Sequence, residues 1–166
     1  MQTGVKYAKV LAGALLTVLP ACGFHLEGRT PLPQSMQTPY VQATDQQTDF
    51  AQSLRRALLT SGARQPIDKD RASSVVNILR DDVVRRTLSV SALNRPNEYE
   101  VTYNVRFSVS AGDKELLAPQ DISAIRSYSF DETKLLAKEH EEAILRQAMA
   151  HDLADRVIRQ LSSLGT

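Results

Sequence analysis

The chain has 166 residues, of which 42% are hydrophobic, 23% charged and 5% aromatic, a composition that fits one ordinary globular domain and excludes a disordered or wholly membrane-embedded chain. Lys6 and Lys9 are the only charged residues before position 22, and without them 18 basic residues face 19 acidic ones, a balance that argues against a nucleic-acid partner. A single cysteine excludes an internal disulfide framework and a multi-cysteine metal site.

The first segment reads as an export signal. Lys6 and Lys9 precede an uncharged, mostly apolar run from Val10 to Leu19, which is too short to cross a hydrocarbon core of ~30 Å as a helix. Leu19-Pro20-Ala21-Cys22 resembles a bacterial lipobox, with an aliphatic residue three places ahead of the cysteine and a small one immediately ahead. Pro20 stands where such signals usually carry a small residue. On this reading residues 1–21 are a removed signal peptide and Cys22 is the lipid attachment site, carrying S-diacylglycerol and an N-acyl group. Several acyl chains, at ~0.8 kcal/mol per buried CH₂, hold a protein stably where one would not. The alternative is a buried free cysteine after a short hydrophobic helix. Gly23 follows the cysteine, and by resemblance to enteric lipoproteins, which mark inner-membrane retention with Asp there, it implies the outer membrane.

Residues 22–38 read as a lipid-anchored tether, stiffened by Thr30-Pro31-Leu32-Pro33, and residues 39–166 as a single domain. A short strand is expected near Tyr40-Val41-Gln42-Ala43. Phe50, Leu54, Ala57 and Leu58 then share one face of a helix, with Thr48 positioned to cap its start and Gly62 to end it. Arg55 and Arg56 fall off that face, either as a solvated surface or as a pair for an anionic ligand. Residues 73–90 form an extended run in which Val76, Ile78, Val84, Leu88 and Val90 share one parity, and so one face, interrupted by Arg80, Asp82 and Arg86. Tyr99, Val101, Tyr103, Val105, Phe107 and Val109 alternate without a break against polar neighbours, the pattern of a strand with one buried and one wet face. Asn94-Arg95-Pro96-Asn97 joins the two runs as an antiparallel hairpin. After Ala111-Gly112-Asp113, residues Ile122, Ala124, Tyr128 and Phe130 mark a further strand. Asp131 or Thr133 can cap a final helix whose stripe is Leu145, Met149, Leu153, Val157 and Leu161, widened by Ala150, Ala154 and Leu164 and closed by Gly165. The order strand-helix-strand-strand-strand-helix predicts an α+β fold: a mostly antiparallel four-stranded sheet with two helices packed on one face.

Catalytic patterns are missing. His25, His140 and His151 are too far apart for a helical metal pair, and HExxH, GxSxG and a phosphate-binding glycine loop are all absent. Asp81 and Asp82 would point to opposite sides of a strand, and Glu141 and Glu142 read as a solvated helix face. Nothing in the pattern supports an enzyme, a metal or a cofactor.

Cys22-Gly23-Phe24-His25-Leu26-Glu27-Gly28 resembles the mature start of the lipopolysaccharide (LPS)-assembly lipoprotein family, LptE, also known as RlpB. Further likenesses are Glu98-Tyr99 opening the alternating strand, Arg126-Ser127-Tyr128-Ser129-Phe130-Asp131 closing the last one, and Leu136-Ala137-Lys138-Glu139 in the final helix. Glu27 stands where the family more often has arginine. The resemblance implies an outer-membrane lipoprotein, neither an enzyme nor cofactor-dependent. Its implied partners are LPS, the membrane through the lipid, and the LPS-translocating β-barrel (LptD), whose lumen it would plug one-to-one and whose assembly it would assist. It also implies LPS contacts near the hairpin tip and the start of the last helix: Lys138 and Arg95 first, Arg85 and Arg86 second, since guanidinium and ammonium groups suit lipid phosphates. Lys138 has a competing reading as an i,i+4 partner of Glu142. The alternative function is an auxiliary lipoprotein of an envelope ABC transport system.

Overall fold

The computed structural model describes residues 32–130 and 135–164. Its strands are β1 (Pro39–Ala43), β2 (Ser74–Val90), β3 (Pro96–Ala111) and β4 (Lys114–Ser129); its helices are α1 (Asp49–Thr60) and α2 (Leu135–Ser163). The sheet runs β1-β2-β3-β4, with β1 parallel to β2 and the other neighbours antiparallel. A parallel pair needs a crossover, and α1 supplies it. The expected α+β order and the mostly antiparallel sheet are both present.

The local chemistry follows the sequence closely in α1. The Thr48 hydroxyl accepts from the Ala51 N–H, capping the helix. Gly62 adopts φ +95° just past the last turn, where the Gly62 and Ala63 amides return to the Leu59 and Leu58 carbonyls. Phe50, Leu54 and Leu58 are buried as their spacing demands, and so are Met149, Leu153, Val157 and Leu161 of α2. Both stripes meet Val101, Tyr103, Val105, Phe107 and Val109 of β3 in one continuous core. Met36, in a short 3₁₀ turn over Gln34–Met36, belongs to the same core, so part of the segment read as tether is packed against the domain.

β2 departs from its sequence pattern. Val76 and Ile78 face the core opposite Val109 and Phe107, but the register slips between Ile78 and Arg80. One extra residue, Leu79, exchanges the two faces of everything that follows. Asp81, Val83 and Arg85 now lie opposite the core residues Val105, Tyr103 and Val101. Val84 and Leu88, expected beside Val76, sit instead on the uncovered face, 52% and 48% exposed, and Val90 beyond a second irregularity is 55% exposed. The hairpin turn falls slightly earlier than expected: the Ser91 N–H donates to the Arg95 carbonyl, with Asn94 at φ 57°.

Candidate functional site at the hairpin end

The final helix runs antiparallel to β4, since Glu142, Asp152 and Arg156 contact Tyr128, Arg126 and Ser123 in that order. The start of α2 and the tip of the β2–β3 hairpin therefore share one end of the molecule. A compact cluster holds them in register there. The Arg85 guanidinium donates to Glu142 Oε2 at 2.8 Å, and the Tyr128 hydroxyl donates to the same oxygen at 2.6 Å. Arg85 also lies over the Tyr99 ring, 4.9 Å from its centroid. Tyr99 in turn packs on Tyr128 at 5.8 Å and edge-on to Phe130 at 5.1 Å.

The electrostatics are those of a latch. Burial alone would raise the Glu142 carboxyl, yet hydrogen bonds from Tyr128 and Arg85 and the charges of Arg85 and Arg146 outweigh it and lower its pKa. The Tyr128 hydroxyl is pushed up to about 12 by burial and by its bond to Glu142. Arg85 is raised by the bond it donates to Glu142, with a further one to the Tyr128 oxygen. Glu142 was expected on a solvated helix face; its side chain is only 15% exposed because Arg85 and Tyr128 close over it. The sequence signal missed was the register slip, which turns Arg85 toward the helix layer.

The four basic candidates are thus placed differently. Arg85 faces the helices and is held by Glu142. Arg86 lies on the opposite, uncovered face and donates to Glu100 at 2.7 Å. Arg95 is exposed at the hairpin turn, its N–H donating to Ser91 Oγ. Lys138 falls in the first turn of α2, and its side chain lies outside the described residues, as do Cys22 and the caps expected at Asp131 and Thr133. Counted along the backbone from the latch, Lys138 lies about 6 Å beyond Glu142 and Arg95 about 13 Å beyond Tyr99, at ~1.5 and ~3.3 Å per residue.

A second, partly buried polar cluster ties α1 to the sheet. Thr48 Oγ1 donates to Asp81 Oδ2 at 2.5 Å, Tyr103 also hydrogen-bonds Asp81, and the Phe50 N–H donates to the Tyr103 hydroxyl at 3.1 Å. Burial raises the Asp81 carboxyl despite these donors. Desolvation and the Asp81 charge raise Tyr103. Asp82, as expected, takes the other face, with Arg80 at 3.2 Å. No group of three metal-ligating side chains occurs among the described residues.

A family profile described as lipopolysaccharide-assembly, LptE, matches residues 36–161. The chain belongs to the LptE family of LPS-assembly lipoproteins. The match spans the folded domain from the buried Met36 to the last buried leucine of α2. It is 28% identical over 152 residues to the LPS-assembly lipoprotein LptE of Photorhabdus laumondii, covering 92% of this chain and 83% of that one. It is 24% identical over 156 residues to the LptE of Pectobacterium atrosepticum, covering 93% and 84%. Among solved structures, the solution structure of lipoprotein B from Nitrosomonas europaea superposes with a TM-score of 0.70 at 27% identity, covering 85% of this chain and 91% of that one. The rare lipoprotein B of Shewanella oneidensis gives 0.65 at 26%, covering 76% and 94%. LptE-family membership makes this chain a non-enzymatic lipoprotein of LPS assembly.

Proposed function

We propose that this LptE-family chain is anchored to the outer membrane through acylated Cys22, occupies and helps assemble the LPS-translocating β-barrel one-to-one, and binds LPS at the hairpin end. The observation that carries this reading is the family match over the whole folded domain. The geometry supports it in two ways. Among the described residues the helices pack on one face of the sheet only, which supports a second face turned to a surrounding protein wall. The latch brings the two segments that resemblance assigns to LPS to the same end of the molecule.

In this account Arg95 and Lys138 contact LPS phosphates directly. Arg85 acts as a positioning residue, because its guanidinium is already committed to Glu142. Arg86 stands behind the hairpin on the other face, ion-paired with Glu100, and makes no direct contact. Each exposed charge-assisted contact contributes about 1 kcal/mol or less, rising toward ~1–3 kcal/mol where LPS desolvates it. Arg95→Asp combined with Lys138→Asp should therefore weaken LPS binding at least about tenfold, corresponding to ~1.4 kcal/mol, and the effect should shrink as salt is added. Unchanged binding by a folded double variant would remove this site from the account and leave the barrel partnership standing.

A further inference from the structure

Among the described residues, the first strand of the sheet has only one neighbour. β1 pairs with β2 along Pro39–Ala43, and its other edge faces a groove of about 300 Å³ between the strand and α1. Leu58 and Leu59 of α1, Tyr40 and Val41 of β1 and Pro66 of the following loop give the groove an apolar floor and wall. Leu59 is 48% exposed there, an apolar side chain presented to solvent beside unpaired strand backbone. At one end the Arg64 N–H already donates to the Gln37 carbonyl at 2.7 Å, so the chain itself begins the kind of pairing that the rest of the edge leaves open.

The charge of this groove is one-sided. Its lining contains Arg55 and Arg64 and no carboxylate. Several arginines elsewhere in the described structure are matched by carboxylates, Arg80 and Arg106 by Asp121, Arg85 by Glu142, Arg86 by Glu100 and Arg126 by Asp152, whereas Arg56 and Arg156 bond to the Ser53 hydroxyl and the Ser123 carbonyl. Arg55 is held by the backbone carbonyl and side chain of Gln46, which aims its guanidinium along the groove while leaving its charge uncompensated. Arg64 is exposed and has no ion-pair partner among the described residues.

We propose that this groove is a docking site for an extended acidic peptide segment, which adds to β1 as a fifth strand, seats one bulky apolar side chain against Leu58 and Leu59, and places carboxylates at Arg55 and Arg64. Main-chain pairing supplies affinity in such strand addition, and the pocket with its charges supplies selectivity. The open edge is short and begins with Pro39, which lacks an N–H; that protects it from indiscriminate sheet growth and makes the side-chain contacts decisive. The site lies on the β1 side of the molecule and is independent of the LPS reading.

The test is fluorescence anisotropy of the full chain in detergent with a labelled nonapeptide that alternates glutamate with valine around a central leucine. Binding is expected, at least tenfold tighter than for the same peptide with lysine replacing glutamate and for a fully N-methylated version that cannot pair as a strand. Arg64→Glu and Leu59→Asp, both exposed and therefore compatible with folding, should each weaken binding at least fivefold; Arg106→Gln on the uncovered sheet face should not. No binding, equal binding of the three peptides, or indifference to the two groove substitutions overturns the proposal. Self-association through β1 that the acidic peptide fails to dissolve also overturns it, assigning the edge to a second copy instead.

Discussion

Glu142→Gln should loosen the start of α2 from the sheet. Glu142 accepts from Arg85 at 2.8 Å and from Tyr128 at 2.6 Å, and the Tyr128 side chain is otherwise buried at 8% exposure. The substitution removes the charge that holds two donors. Charge-assisted bonds of this kind contribute ~1.5–3 kcal/mol when buried, but Arg85 is 52% exposed, so solvent screening reduces its share toward ~0.5 kcal/mol. Together the loss should be about 1–2 kcal/mol, which with a urea slope of ~1.5 kcal/mol/M lowers the unfolding midpoint by roughly 0.7–1.3 M. The pH dependence has a fixed sign. Because folding lowers the Glu142 pKa, its contribution is present above the ordinary carboxyl value of 4.5 and is lost as pH falls through the folded value. The gap between the parent and Glu142→Gln should accordingly be full at pH 7 and close as pH falls from 4.5 through the folded value. Urea midpoints followed by circular dichroism at pH 7 and across this acid range measure it. A shift at pH 7 below about 0.2 M, or a gap that widens in acid, would refute the latch.

Other outcomes follow from the same structure. Val76→Thr should cost about 1–3 kcal/mol because Val76 is fully buried, whereas Val84→Thr, at the same sequence parity but on the uncovered face, should cost under about 0.5 kcal/mol; equal losses in urea would place the register slip wrongly. Folding raises the Asp81 pKa, so its protonated form favours the native state and that stability is lost as pH rises from 3.8 through the folded value. Asp81→Asn should therefore be neutral or stabilising at pH 7, with the parent gaining on it in melting temperature as pH is lowered toward 4. Leu153→Ala, in a fully buried position, should cost about 2–5 kcal/mol by thermal or urea unfolding. Cys22→Ser should abolish labelling by a clickable fatty acid and leave the signal uncleaved; normal labelling would remove the lipid anchor from the account.

Much of this architecture was legible in the sequence because single faces of regular elements bury apolar side chains. The β3 alternation and the α2 stripe map onto buried residues, with Tyr99 and Leu145 half-buried at their ends, and Thr48 and Gly62 end α1 where their chemistry suggested. Periodicity fails where one residue is added to a ladder: the slip at Leu79 moved Val84 and Leu88 outward and brought Asp81 and Arg85 inward, and nothing in the run from Ser74 to Val90 marks it except charged residues of the wrong parity. The latch was hidden for the same reason, since Glu142 looks solvated until Arg85 is known to face the helices. Met36 was hidden differently, lying in a proline-flanked segment with no pattern to reveal its burial. Lys138 and Arg95 are proposed through family resemblance rather than through any physical signal of their own.

The most direct test of the central claim is copurification from solubilised envelopes, using a domain that begins after Cys22 and is exported without lipid. If this chain occupies the LPS-translocating barrel through its protein surface, the unacylated domain should still bring down that barrel in a one-to-one ratio, since specific association requires buried protein contacts that lipid alone does not supply. Recovery of the barrel only with the acylated form, or of no outer-membrane barrel at all, would contradict the account.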